Sequence, residues 1–193
     1  MTVGVPEPDA AGPGPAIFDA MTDSTAVRTL LTDGFSRIRE LVESVTGDLD
    51  AAAVTYRPDP AANTVGWLIW HLSRVQDSHV ADVAGVAQAW TAAGWQQKFG
   101  LPFDPSATGY GQSAEDVAAV DVAPALLAGY HADVDRLTTE FLATVDAAAL
   151  ARVVDENWDP PVNLSARLVS VLSDCLQHLG QAAYVRGLAE RAG

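Results

Sequence analysis

The chain has 193 residues, enough for one domain with a sizeable core and too few for two comfortable ones. Apolar residues make up 49% and charged residues 19%, a composition typical of a globular protein rather than a disordered one. With 11 basic and 25 acidic side chains, the formal net charge is −14, which disfavours nucleic acid and anionic membrane surfaces as partners. The single cysteine, Cys175, excludes an internal disulfide and any zinc site built from several thiolates.

The first 20 residues differ in composition from the rest of the chain. Prolines interleave with glycines there, so we expect residues 1–20 to be a disordered tail and residues 21–193 to form the domain. The tail has neither the basic n-region nor the apolar h-region of a signal peptide. No run of 18 apolar residues occurs either, and we therefore expect a cytoplasmic protein without a membrane span.

Four long stretches with apolar residues at three- and four-residue spacing predict four amphipathic helices. They cover about residues 23–45, 64–83, 124–145 and 163–191. Asn63 or Thr64 is the expected N-cap of the second helix, and Asn163 or Ser165 that of the fourth. Because sustained alternation of period two is missing, the pattern predicts an all-α four-helix bundle.

A long insert, residues 86–123, separates the second and third predicted helices. It is rich in tryptophan, phenylalanine, proline and glycine, and short helices are expected at about 86–98 and 114–120. Aromatic rings in a loop bury a large apolar area, so we expect this insert to pack over another part of the protein.

Three polar residues on two predicted helices are candidates for a metal site. Asp174 and His178 are four residues apart, so they point in nearly the same direction from adjacent turns at the margin of an apolar arc. His71 lies in the most apolar stretch of the second helix, where a polar side chain needs a partner. Two imidazoles and one carboxylate suit Zn²⁺, with Ni²⁺ or Fe²⁺ as alternatives, and leave a position open for water or substrate.

These residues also have a simpler interpretation. His71 could be a core histidine that is bonded to a backbone carbonyl group, and an acid–histidine pair four residues apart is often only a surface hydrogen bond. The chain contains a second such pair, His131 and Asp135, in the third predicted helix.

Further residues are candidates for a surrounding pocket. They are Arg74, His79, His131, Gln181 and Arg186. We expect His79 at the bundle end or surface, with a place in a pocket wall as the alternative, and His131 in a pocket wall or a structural position. Arg74 is expected to be a solvated partner of Asp77, with a pocket role as the alternative. Cys175 falls in the apolar arc and is expected to be inert core.

Two segments resemble helices of the DinB-like superfamily. Residues 67–85, WLIWHLSRVQDSHVADVAG, resemble its second helix, and residues 167–188, RLVSVLSDCLQHLGQAAYVRGL, resemble its fourth helix. The fourth helix carries the signature histidine–x–glycine–glutamine at residues 178–181. The resemblance extends over about residues 23–191 and implies a four-helix bundle that binds a divalent metal.

The resemblance also implies which residues bind that metal, namely those that match His71, Asp174 and His178. Many relatives have three histidines, and Asp174 departs from that pattern. The mycothiol-dependent maleylpyruvate isomerase branch is similar in using an acid, glutamate, at the corresponding place. Aspartate is one methylene shorter, which affects the coordination distance.

The mycothiol-dependent relatives imply thiol chemistry. The alanine-rich, nearly lysine-free composition fits actinobacteria, which make mycothiol. The resemblance therefore implies a metal-dependent enzyme that acts on a small molecule as a thiol S-transferase or isomerase, with mycothiol as the thiol. It also implies a homodimer. The aromatic insert would then cover the open end of the site. Two alternatives stay open: a hydrolase that uses metal-activated water, and a non-catalytic bundle that binds a small molecule.

Overall fold

The computed structural model describes residues 23–192, and the tail expected over residues 1–20 lies outside that range. The elements in chain order are α1 (Asp23–Thr46), α2 (Ala51–Val54), α3 (Val65–Ala84), α4 (Ala89–Ala92), α5 (Trp95–Phe99), α6 (Ala114–Ala119), α7 (Pro124–Leu142), α8 (Ala147–Leu150), β1 (Val153–Asp155), β2 (Val162–Asn163) and α9 (Leu164–Ala192).

The expected all-α four-helix bundle is confirmed in α1, α3, α7 and α9. Helix α3 packs against both α7 and α9, and α1 packs against the same two helices from the other side. Each long helix contributes fully buried apolar side chains to one shared core, among them Ile38, Leu68, Leu127 and Leu168. In the described part of the chain, no helix combines the length and the apolar character needed to cross a membrane.

The helix ends follow local signals. The Thr64 side chain accepts a hydrogen bond from the backbone N–H of Trp67 and begins α3, and Asn163 Oδ1 accepts one from Ala166 and begins α9. Helix α3 ends at Gly85, whose φ of 69° is the left-handed conformation that glycine adopts without strain.

The short helix expected at about 114–120 is present as α6, whereas a strand pair before α9 was not expected from the sequence. Strands β1 and β2 form an antiparallel pair, in which Val153 lies opposite Asn163 and Asp155 opposite Val162. Strands of three and two residues are too short to show an alternating pattern, which explains why the sequence did not predict them. The hairpin is held against α9, because Arg167 Nη2 donates a hydrogen bond to Asp155 Oδ2 over 2.8 Å.

The insert packs against α3 and α7 with its aromatic rings. Trp90 and Phe99 are buried, and both rings lie against Tyr130 of α7, with centroids 5.1 and 5.8 Å away. Trp95 Nε1 donates a hydrogen bond to Asp133 Oδ2 over 2.8 Å. The helix expected over 86–98 is interrupted at Gly94, which has a φ of 71°, and this break separates α4 from α5.

A buried ion pair lies under the insert. Arg74 Nη1 is 3.5 Å from Asp77 Oδ2, and both side chains are 0% exposed, so the expectation of a solvated Arg74 was wrong. The Asp77 carboxylate also accepts hydrogen bonds from the N–H groups of Ala89 and Trp90, each at 2.8 Å, and from the Tyr130 hydroxyl at 2.8 Å. The spacing of three residues predicted the pairing of Arg74 with Asp77 but not its burial, because the covering groups come from the insert.

Arg74 also donates hydrogen bonds to two segments of the insert and to Tyr130. Nε donates to the carbonyl oxygen of Ala107 over 3.0 Å, and Nη2 donates to that of Pro105 over 3.4 Å. Nη1 donates to Gln88 Oε1 over 3.0 Å and to the Tyr130 hydroxyl over 3.2 Å. Arg74 therefore binds acceptors from two separate segments of the insert.

Replacing Arg74→Met should lower the free energy of unfolding by about 3 kcal/mol or more, because the Asp77 carboxylate stays buried without its cation. Urea denaturation followed by circular dichroism measures this. The matched control is Arg37→Met, whose partner Asp33 is also on the same helix but at the surface. We expect the control to leave stability unchanged within error, and an equally small effect of Arg74→Met would contradict the structural role.

Candidate metal centre

Helices α3 and α9 bring together the three residues nominated as metal ligands. One ligand atom each of His71, Asp174 and His178 lies within 4.8 Å of the other two. His178 Nε2 is 3.6 Å from Asp174 Oδ1, and the two imidazole rings are 4.6 Å apart between centroids at an angle of 80°. Ligand atoms at these separations can reach a common Zn²⁺ ion, at about 2.0–2.2 Å each, through small rotations of the side chains.

Both histidines use Nδ1 for a hydrogen bond, which leaves Nε2 for a ligand. His71 Nδ1 hydrogen bonds to the backbone carbonyl oxygen of Thr108. His178 Nδ1 lies 3.3 Å from Gln181 Oε1. Carbonyl oxygens only accept, so Nδ1 carries a proton in each ring, and Nε2 is the nitrogen that remains for the site. In His178 this Nε2 faces Asp174 Oδ1 at 3.6 Å. A carbonyl group on the far nitrogen is the arrangement that orients metal-bound histidines in proteins.

The Asp174 carboxylate has one oxygen with no internal partner. Oδ2 is buried and, within residues 23–192, no hydrogen-bond donor contacts it. A buried anionic oxygen without a donor is costly, and a cation among the three side chains would satisfy it. The donor set of two imidazole nitrogens and one carboxylate therefore fits a divalent metal of the Zn²⁺ type.

The charge states suit this donor set. Burial lowers the pKa of His71, which keeps the ring neutral near pH 7. Burial raises the pKa of Asp174, but the hydrogen bond and charge of His178 outweigh that effect, so the net pKa is lowered and the carboxylate is ionised. The Asp174 carboxylate accepts from His178, and this contact raises the pKa of His178 in turn, so a bound metal ion would take the place of the imidazole proton.

The insert forms one wall of the site. Trp67 stacks on the His71 ring, with centroids 4.7 Å apart and planes at 10°, and its Nε1 donates to Gln112 Oε1 over 2.7 Å. Gly109 has a φ of 103°, and a Cβ there would lie 2.6 Å from His71 Nδ1, so only glycine fits. Thr108 and Gly109 were missed as site residues, although the run of glycines at 109 and 111 was a visible signal of a tight loop.

The α9 side of the site is more exposed than the α3 side. The His71 residue is 7% exposed, whereas the side chains of His178 and Asp174 are 19% and 36% exposed. Solvent therefore reaches mainly the two side chains on α9.

Two of the pocket candidates lie at or near the three side chains. Gln181 contacts His178, as described above. His79 is half-buried two turns further along α3, with Nδ1 3.4 Å from Arg167 Nη1.

The remaining pocket candidates make their contacts away from the three side chains. Arg74 belongs to the buried pair under the insert. His131 is 1% exposed with Nδ1 3.1 Å from Ser73 Oγ, and burial lowers the pKa of His131 to about 4, so it is a neutral core residue. Arg186 donates to three backbone carbonyl oxygens at the end of α1, at 2.8 to 2.9 Å. Cys175 is fully buried, and burial raises the pKa of its thiol, so the thiol stays protonated and enclosed.

Comparisons with known proteins give one family match and a similar solved structure. A family model described as mycothiol-S-transferase matches residues 30–190. Among solved structures, the chain is similar to a protein described as the conserved protein of locus from Enterococcus faecalis, with a TM-score of 0.77 and 32% sequence identity. That match covers 83% of this chain and 95% of the other. A search of curated proteins finds no match.

Replacing Asp174→Asn should weaken Zn²⁺ binding at least about 100-fold, because it removes the negative charge and one oxygen ligand from the site. Competition with a chromogenic chelator measures the affinity. Asp135→Asn is the matched control, since Asp135 also lies four positions from a histidine in its helix, His131, but faces Arg39 at 3.6 Å. An unchanged affinity of Asp174→Asn would exclude this residue as a ligand.

Replacing Gln181→Ala should weaken Zn²⁺ binding about tenfold, because His178 loses the acceptor that orients its ring. Gln177→Ala is the control: Gln177 lies one turn earlier on α9 and donates only to Ser173 in the described structure. If both variants bind the metal like the unsubstituted protein, the contact with Gln181 does not orient His178.

Proposed function

Since the chain belongs to the DinB-like mycothiol S-transferase family, we propose that it is an enzyme that joins the sulfur of mycothiol to a small electrophilic substrate. The proposed site is a divalent-metal centre formed by His71, Asp174 and His178. One observation carries the proposal: one ligand atom from each of these three side chains lies within 4.8 Å of the other two, and the Asp174 carboxylate has a buried oxygen without a donor.

The proposed metal is Zn²⁺, with Ni²⁺ or Fe²⁺ as alternatives that the same ligands accept. Such an ion supplies positive charge that lowers the pKa of a thiol nearby and favours the reactive thiolate. The reaction itself breaks the S–H bond of mycothiol and forms a bond between sulfur and an electrophilic carbon. The leaving group departs with its electron pair, and the thiol proton passes to solvent.

The residues around the centre support thiol chemistry with an external thiol. The chain's own Cys175 is enclosed and protonated, so the reacting sulfur has to come from a second molecule. Trp67 and the loop at Gly109 cover the His71 side, which excludes water from one face of the site. The more exposed α9 side admits the two substrates.

An isomerase is the variant of this proposal in which the sulfur adds reversibly to a conjugated double bond. Addition to one carbon converts the double bond to a single bond, rotation follows, and expulsion of the thiolate restores the double bond in the other geometry. The same residues serve both reactions, so the nature of the electrophile decides between them.

Localisation in the cytoplasm and assembly into homodimers are further parts of the proposal, based on the resemblance to this family. Sedimentation equilibrium of the purified protein tests the dimer, and a mass of one chain at micromolar concentration would exclude it.

The zinc-loaded protein, incubated with mycothiol and a chlorodinitrobenzene, should form a mycothiol conjugate detectable by mass spectrometry. Asp174→Asn should slow its formation at least about 100-fold, whereas Asp135→Asn should not. Substrate turnover without added mycothiol would instead indicate the hydrolase. Mycothiol binding without turnover of any electrophile would indicate the non-catalytic binding protein.

A further inference from the structure

A polar cleft lies between α3, the beginning of α9 and the β1–β2 hairpin. Its volume is about 770 Å³, and the residues that matter here are His79, Asp82, Gln88, Asp155, Trp158 and Arg167. Neither the family description nor the nominated metal ligands involve this cleft.

The cleft and the three nominated ligands both lie at contacts between α3 and α9. Arg167 precedes Asp174 by seven residues, which places it on the same face of α9 about 10 Å away along the axis. His79 follows His71 by eight residues on α3, and it faces Arg167.

The polar groups of the cleft are held in place by one another. Arg167 Nη2 donates to Asp155 Oδ2 over 2.8 Å, and Nη1 lies 3.4 Å from His79 Nδ1. Asp155 Oδ1 accepts from both the backbone and the side-chain amide of Asn157, at 3.0 and 2.9 Å. The side chains of Arg167 and Asp155 are only 17% and 20% exposed, so the cleft has a rigid floor.

Both donors and acceptors point into the cleft. Arginine only donates, so His79 Nδ1 accepts and its Nε2 carries the proton, and burial lowers the pKa of His79 further toward the neutral form. Gln88 uses its oxygen for Arg74, which leaves its NH₂ group for a ligand. Asp82 and Asp155 supply acceptors.

This mixture indicates the chemical class of the ligand. Hydroxyl groups donate and accept at once, so a polyol can use both kinds of group. Trp158 is 66% exposed at the rim and offers an indole face on which the C–H surface of a sugar ring can pack. Two carboxylates against one guanidinium disfavour a phosphate or another anion.

We propose that this cleft binds the glucosamine–inositol part of mycothiol while its cysteine thiol reaches the centre at His71, Asp174 and His178. This inference rests on the proposed function and adds a recognition site to it. The thiol of mycothiol is separated from the sugar ring by the cysteine and an amide bond.

The test compares Trp158→Ala with Tyr184→Ala, an aromatic residue that is also 66% exposed but lies on α9 beyond the centre. Isothermal titration of the zinc-loaded proteins uses three probes: mycothiol, glucosaminyl-inositol without the cysteine, and N-acetylcysteine. Trp158→Ala should weaken the binding of mycothiol and of glucosaminyl-inositol about tenfold. It should leave the affinity for N-acetylcysteine and the zinc content unchanged. Tyr184→Ala should change none of these affinities.

The outcomes separate this inference from the function on which it rests. If mycothiol is conjugated and Trp158→Ala binds it as tightly as the unsubstituted protein, the recognition site is overturned and the function stands. If glucosaminyl-inositol binds in a Trp158-dependent way but no conjugate forms, the function fails and the recognition site stands. If neither mycothiol nor glucosaminyl-inositol binds, both are overturned.

Discussion

The buried ion pair between Arg74 and Asp77 determines where the insert lies, and the insert shapes the proposed metal centre. Asp77 binds the beginning of α4, and Arg74 holds the carbonyl groups of Pro105 and Ala107. The next residue, Thr108, presents its carbonyl oxygen to His71 Nδ1. A buried charge pair contributes little net stability, but breaking it is costly, so its partners are held in one arrangement. The orientation of His71 therefore depends on an ion pair one turn further along the same helix.

The need of buried polar groups for partners organises much of the molecule. The insert and the end of α1 satisfy backbone groups through side chains such as Arg74, Asp77 and Arg186. Among the described residues, Asp174 Oδ2 is one of five buried side-chain atoms without a hydrogen-bond partner, and it is the one carboxylate oxygen of the five. Its side chain lies beside the imidazoles of His71 and His178, so a cation bound by the three residues would compensate this carboxylate.

The packing of α3 against α9 provides two sites that different parts of the chain complete. At one end, the insert closes over His71. At the other, the β1–β2 hairpin adds Asp155 and Trp158 beside Arg167. The two helices are antiparallel where they pack, because His71 faces Asp174 and His178 while the later residue His79 faces the earlier Arg167. Chemistry and substrate recognition can therefore be assigned to the same pair of helices, with specificity carried by a separate hairpin.

The sequence by itself determined the four long helices and nominated the cluster of His71, Asp174 and His178, because helical periodicity states which direction a side chain faces. Caps at Thr64 and Asn163 and the break at Gly85 could be found in the same way, since they act within a few residues. Only the tertiary structure decided that Arg74 is buried, that Thr108 binds His71, and that a short hairpin forms a polar cleft beside Arg167. Local sequence patterns predict which face of a helix a side chain occupies. They do not predict which segment covers that face, because that depends on contacts between residues far apart in the chain.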